Sequence, residues 1–154
     1  IQGRIDSELA SEAGDFILLR ADGLYAYQLA VVVDDAAAGI THVVRGADLL
    51  ASTPRQIFLQ ECLGLPTPCY AHLPVAVNVA GEKLSKQTRA AAVDAARPGP
   101  ALFAALEFLG QRPPADLSGA SPGELWAWAT RHWRLDRVPR GPLCPAETGG
   151  IIAP

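Results

Sequence analysis

The chain has 154 residues, 49% of them apolar and 19% charged, with a formal net charge of −3. That length and balance suit one ordinary globular domain with a real core and exclude a disordered chain. A mildly acidic protein has no overall attraction for nucleic acid, so any such contact must use a local basic patch.

Three cysteines, Cys62, Cys69 and Cys144, stand far apart without a Cys-x-x-Cys pair. This argues against a zinc site or a secreted disulfide framework and fits a reducing cytoplasm. No apolar run approaches the roughly 18 residues that span a bilayer, and the N-terminus lacks a signal-peptide layout. The chain contains no methionine, and it reads as a piece of a longer protein or a truncated product.

Residues 1–14 are polar and predict a loop or short edge segment. Phe16–Arg20, then Asp22-Gly23, then Leu24–Val33 predict a hairpin, because Asp-Gly tolerates the positive φ of a tight turn. Asp34–Gly39 predicts a short helix or turn closed by glycine, and Thr41–Arg45 a short strand. Ser52 or Thr53 caps a helix with Pro54 in its first turn. Ile57, Phe58 and Cys62 supply its period, and Gly64 ends it. Tyr70–Val79 is a second apolar strand, broken at Pro74. Thr88–Ala96 is alanine-rich and helical, Arg97–Pro100 breaks it, and Ala101–Leu109 is a short helix ended by Gly110. Ser121-Pro122-Gly123-Glu124 is a capping box opening a helix to about His132. Leu125, Trp128 and Ala129 share that helix's core face. Residues 141–154 lack any period and predict a disordered tail.

The densest chemistry lies in Gly81-Glu82-Lys83-Leu84-Ser85-Lys86-Gln87. Two lysines flank a small hydroxyl residue in a glycine-led turn. Ammonium groups can follow phosphate oxygens as negative charge moves, and glycine lets the backbone bend. Taken alone, the segment also fits a solvated surface turn.

Other segments agree with the phosphate reading. They are Tyr25–Asp35, Thr41–Leu50, Ser52-Thr53-Pro54-Arg55-Gln56 and His72-Leu73-Pro74. In this order and spacing the set resembles the class I glutamyl-tRNA synthetase catalytic domain. It is most similar to that family's shortened branch, the glutamyl-queuosine tRNA(Asp) synthetases. Lys83–Gln87 matches the family's Lys-Met-Ser-Lys-Ser loop, with Leu84 and Gln87 as its departures. The resemblance runs from about Asp15 to about Arg140 and is most specific from Gly23 to Lys86.

The resemblance implies an α/β fold: the second half of a Rossmann-like nucleotide fold followed by a small helical subdomain. It implies residues 1–86 as the nucleotide-fold half with the lysine loop, 87–140 as a helical stem-contact region, and 141–154 as the tail. It implies ATP-dependent activation of glutamate and transfer of the glutamyl group to queuosine on tRNA(Asp). Lys86 would then be the main catalytic cation and Lys83 its support. Lys86 and Ser85 would bind ATP, and magnesium would arrive with the nucleotide. Tyr27 and Arg45, eighteen residues apart, would bind glutamate.

On the residues alone, Arg45 fits pairing with Asp48 or Asp34 equally well, and Tyr27 fits a core strand position. Asp48 is a weaker substrate-side candidate that could equally stabilise a helix start. His72 is read as structural. Arg131–Arg140 is the most basic stretch and fits either RNA phosphates or a solvated helix end.

The family's His-Ile-Gly-His-type signature, its first glutamate-binding residues and its zinc-binding insertion have no counterpart here. The chain is therefore expected to be the C-terminal part of the enzyme, possessing an exposed apolar face and needing a missing N-terminal half. The alternatives are a non-catalytic remnant that works only with a partner, or part of an ordinary glutamyl-tRNA synthetase.

Overall fold

The computed structural model describes residues 1–85, 90, 92–141 and 143–145. The chain forms two compact units, one spanning Gln2–His72 and the other running from Leu73 onward with Ile1.

The first unit opens with a single helical turn, α1 (Leu9–Glu12). The Asp22-Gly23 turn forms as expected. Gly23 takes φ 80°, Gly23 N donates to Arg20 O at 2.9 Å, and Leu19 bridges Tyr25 in antiparallel fashion. The expected second strand does not form. Tyr27–Ala37 is instead helix α2. The consecutive valines suggested a strand, but the covered positions run from Gln28 to Val32 and resume at Asp35 and Ala36, a spacing that strand alternation does not give. Gly39, at φ 68°, closes α2, with its N–H donating to Ala36 O.

Strand β1 (His42–Gly46) leads through a 3-10 helix (Ala47–Ser52) into α3 (Thr53–Leu63). Gly64 ends α3 in the left-handed conformation, as its position predicts. The buried face of α3 differs from expectation. Phe58 and Cys62 are exposed, while Gln56, Leu59 and Gln60 are buried. Gln56 Nε2 donates to Gln28 Oε1 and Gln60 Nε2 to the Tyr70 hydroxyl, although Gln60 Oε1 is buried without a partner. α3 packs on α2 and on the 3-10 helix. Strand β2 (Cys69–Leu73) pairs with β1 in a two-stranded sheet.

In the second unit, β3 (Val75–Val77) pairs in parallel with β4 (Leu143–Pro145), Val75 opposite Leu143 and Val77 opposite Pro145. Pro74 separates β2 from β3, so the predicted break falls where the missing donor requires it. β4 lies inside the stretch expected to be a disordered tail; residues 142 and 146–154 of that stretch lie outside the described residues. Of the helix expected over Thr88–Ala96, Thr88, Arg89 and Ala91 lie outside the described residues, and the described ones are not helical. Ala92–Asp94 carry no regular structure and Ala95-Ala96 form a turn.

Helix α4 (Pro98–Phe108) starts earlier than expected. Pro98 and Pro100 occupy its first turn, where an N–H has no intrahelical partner to lose. α5 (Pro122–His132) carries the predicted capping box. Glu124 N donates to Ser121 Oγ and Ser121 N donates to Glu124 Oε2 at 2.8 Å. α4 and α5 enclose a core of Leu106, Leu125 and Ala129, flanked by Leu102, Phe103, Leu117 and Trp128. Gly99 permits the close approach of Ala120, whose carbonyl oxygen would lie 2.6 Å from an added Cβ. Gln111, wholly buried, ties this unit together. Its Nε2 donates to Leu109 O and Arg134 O, and its Oε1 accepts from Arg134 N.

Candidate active site

Arg45 is the most elaborately held side chain of the first unit. It lies near the C-terminal end of β1, the end at which ligands bind in open α/β sheets. Its Nε donates to His72 Nε2 at 3.2 Å. Its Nη2 donates to Thr53 Oγ1 at 2.9 Å and to Leu49 O at 3.3 Å. The guanidinium carbon also lies 5.2 Å from the centre of the Tyr70 ring. Tyr70 and His72 sit two residues apart on β2, so the strand's period of two turns both to one face. Their rings stack at 6.2 Å.

All these acceptors are neutral. The pairing of Arg45 with Asp48 or Asp34 that the sequence allowed is not formed. The Nε–H and both Nη2–H groups are used, which leaves the two N–H groups of Nη1. Among the described residues Nη1 has no hydrogen-bond partner, and it is not one of the buried atoms left without one. A half-buried guanidinium with N–H groups to spare can donate to a carboxylate oxygen.

His72 is only 5% exposed. Burial, and then the Arg45 cation, hold its pKa below the usual imidazole value. The ring is therefore neutral near pH 7. Arg45 can only donate, so Nε2 is the bare nitrogen and the proton sits on Nδ1, a tautomer assigned from the hydrogen-bond network. The Thr53 hydroxyl, 3.1 Å from Nε2, accepts from Arg45 and donates to the ring.

A second polar layer joins this cluster to α2. Gln28 Nε2 donates to Ser52 Oγ at 3.0 Å, and Gln56 Nε2 donates to Gln28 Oε1 at 2.9 Å. Gln60 Nε2 donates to the Tyr70 hydroxyl at 3.0 Å. Ser52 and Thr53 were expected to cap α3. Ser52 makes no side-chain cap, and both hydroxyls serve this network instead. Tyr27, expected in a strand, is the exposed first residue of α2, directly before Gln28.

Sequence reasoning found Arg45 but missed His72, Thr53 and Tyr70 as its partners. The alternation of Tyr70 and His72 in a strand was the one local signal available.

In the second unit the lysine loop begins as a tight hairpin. Asn78 Oδ1 accepts from Ala80 N and Glu82 N, and Gly81 takes φ 78°. Leu84 N donates to Ala76 O, and Lys83 bridges Val77 in antiparallel fashion. Lys83 is exposed and Ser85 half-buried. Lys86 and Gln87 lie outside the described residues.

The basic stretch after α5 is largely engaged. Arg134 pairs with Asp136 at 2.8 Å, and Arg137 Nη1 donates to Gln111 O at 3.4 Å. His132 stacks on Trp128 and shares a 2.8 Å hydrogen bond with its carbonyl oxygen. No helix among the described residues is long and apolar enough to cross a membrane.

Residues 1–110 match the family described as tRNA synthetases class I (E and Q), catalytic domain. The chain is 66% identical over 140 residues to a glutamyl-Q tRNA(Asp) synthetase of Aromatoleum aromaticum, covering 91% of this chain and 44% of the relative. It is 60% identical to the same-named protein of Thiobacillus denitrificans, covering 93% of this chain and 48% of that one. The chain thus spans about half the length of the curated relatives it matches. Among solved structures, it is similar to a glutamate tRNA ligase from Elizabethkingia meningosepticum in complex with its amino acid. That match has a TM-score of 0.57 and 27% identity over 86% of this chain and 30% of the other. With the matched region reaching from the first residue to Gly110, the chain belongs to the class I tRNA synthetases of the E and Q type, through their catalytic domain.

Proposed function

We propose that the chain supplies the glutamate-binding and lysine-loop part of a ligase that activates glutamate with ATP and transfers it to queuosine on tRNA(Asp). The observation that carries this reading is the Arg45 guanidinium, held by neutral acceptors with Nη1 open. Arg45 takes a substrate carboxylate, and the Tyr27 hydroxyl, exposed at the start of α2, adds a hydrogen bond. The glutamate α-carboxylate attacks the α-phosphorus of ATP, the bond to the bridging oxygen breaks, and pyrophosphate leaves. Lys86, with Lys83 beside it, offsets the charge that grows on the leaving group, and Ser85 bonds a phosphate oxygen. Magnesium accompanies the nucleotide phosphates. The tRNA then displaces AMP from the glutamyl adenylate.

The same reading keeps residues 1–86 as the nucleotide-fold half and 87–140 as the stem-contact region, and it places the enzyme in the cytoplasm. Exposed Arg131 and Arg140 are the cations of the basic stretch best placed for RNA phosphates. Relatives named glutamyl-Q tRNA(Asp) synthetase at 52–66% identity favour queuosine transfer over ordinary glutamyl-tRNA synthesis.

The test is glutamate-dependent ATP–pyrophosphate exchange by this chain, alone and joined to the part of the Aromatoleum relative that it does not match. Exchange by the joined protein, lost in Lys86→Ala and shifted to higher glutamate KM in Arg45→Leu, is the expected result. Exchange that ignores both substitutions overturns the assignment. A joined protein with no exchange favours the non-catalytic remnant.

A further inference from the structure

The Arg45 cluster holds more than a substrate-binding arginine. A guanidinium presents two edges to a carboxylate, each with parallel N–H groups. Here the edge made by Nε and Nη2 is filled by His72 Nε2 and Thr53 Oγ1, at 3.2 and 2.9 Å. The remaining Nη2–H meets Leu49 O. Tyr70 covers one face of the plane. Three acceptors and one ring over-determine a side chain that in free solution has several rotatable bonds. Because none of the acceptors is charged, the full positive charge of Arg45 stays available to a ligand.

We propose that His72 and Thr53 are positioning residues for glutamate recognition, fixing the Arg45 guanidinium so that Nη1 alone meets the substrate carboxylate. The proposal rests on the reading of Arg45 as the glutamate-binding arginine. Its physical content is preorganisation. The arginine's rotamer freedom is already lost before substrate arrives, so binding does not have to supply that ordering. It also gives the bare Nε2 of His72 a role, that of an acceptor. A protonated ring would turn an N–H towards two donors and set a cation beside a cation.

The closing experiment uses the full chain, with L-glutamate as the probe and two independent readouts. The first is the Arg45 Nε–H resonance in nitrogen-15 spectra, assigned by its loss in Arg45→Leu. In the wild type it is a single, exchange-protected signal. In His72→Leu it exchanges fast, and in His72→Gln, whose side-chain oxygen can reach the place of Nε2, protection returns. Thr53→Val and Thr53→Ser form the matching pair should His72→Leu fail to fold.

The second readout is the dissociation constant for glutamate. We expect about a tenfold rise in His72→Leu and in Thr53→Val, the size of one lost positioning hydrogen bond. Recovery to within about twofold follows in His72→Gln and Thr53→Ser, a rescue that a merely structural role would not show. A protected Nε–H and unchanged glutamate binding in both His72→Leu and Thr53→Val overturn the proposal. Failure of the underlying reading looks different: Arg45→Leu then binds glutamate as the wild type does, and the positioning role falls with it.

Discussion

At the scale of single residues, fully buried amides decide local geometry here. Gln111 satisfies Leu109 O, Arg134 O and Arg134 N with one side chain, and none of its surface reaches water. A residue of similar volume but no polarity separates hydrogen bonding from packing. Gln111→Leu leaves buried backbone groups unpaired and should cost about 1–3 kcal/mol, measurable as a lower denaturant midpoint at an unchanged slope. A loss under a few tenths of a kcal/mol would show that water replaces the amide. In the first unit Gln56 Nε2 likewise pairs with Gln28 Oε1. A glutamine in a helix carries no local sign of where its partner is.

At the scale of elements, α5 was the most legible helix. Ser121 and Glu124 reciprocate across three residues, so both partners are visible in the sequence. Ser121→Ala should lower the thermal midpoint, with a cost of roughly 1 kcal/mol typical of a lost cap. Hydrogen bonds from the Ser121 hydroxyl and then from the Ser121 backbone hold the Glu124 carboxyl below its ordinary value of 4.5. A carboxyl lowered in the folded state contributes stability that is present above its unfolded value. That stability is lost as pH falls through the folded value. Melting curves of wild type and Glu124→Gln should therefore differ at neutral pH and converge in acid; a constant difference would refute the cap's ionic character. α2 was the least legible element. A β-branched run in isolation favours a strand, and only the surface it packs against reveals its helical period.

At the scale of the whole molecule, the first unit leaves much apolar surface in water. Ile17, Leu19, Leu24, Tyr25 and Val44 are each more than half exposed. Val44 lies between Val43 and Arg45 on β1, so it faces away from both, on the exposed side of the strand. Surface of this kind signals an interaction site or an aggregation liability. The chain alone should bind a hydrophobic dye or self-associate, and joining it to the unmatched part of a relative should suppress both. Cooperative unfolding as a dye-silent monomer would refute that expectation.

The sequence by itself determined whatever depends on neighbours within a few residues. The Gly23 and Gly81 turns, the Gly64 helix stop, the Pro74 break and the α5 cap all follow from the φ a residue tolerates or the donor it lacks. It also placed Arg45 at the end of a strand. Tertiary structure alone decided what Arg45 touches, which face α3 buries and that α2 is a helix. Gln28 meets Ser52 across 24 residues, Arg45 meets His72 across 27, and Gln28 meets Gln56 across 28. Partners so distant share no local period or spacing. A buried polar side chain is tolerated only where the fold brings its partner within hydrogen-bonding reach, and that proximity belongs to the folded chain.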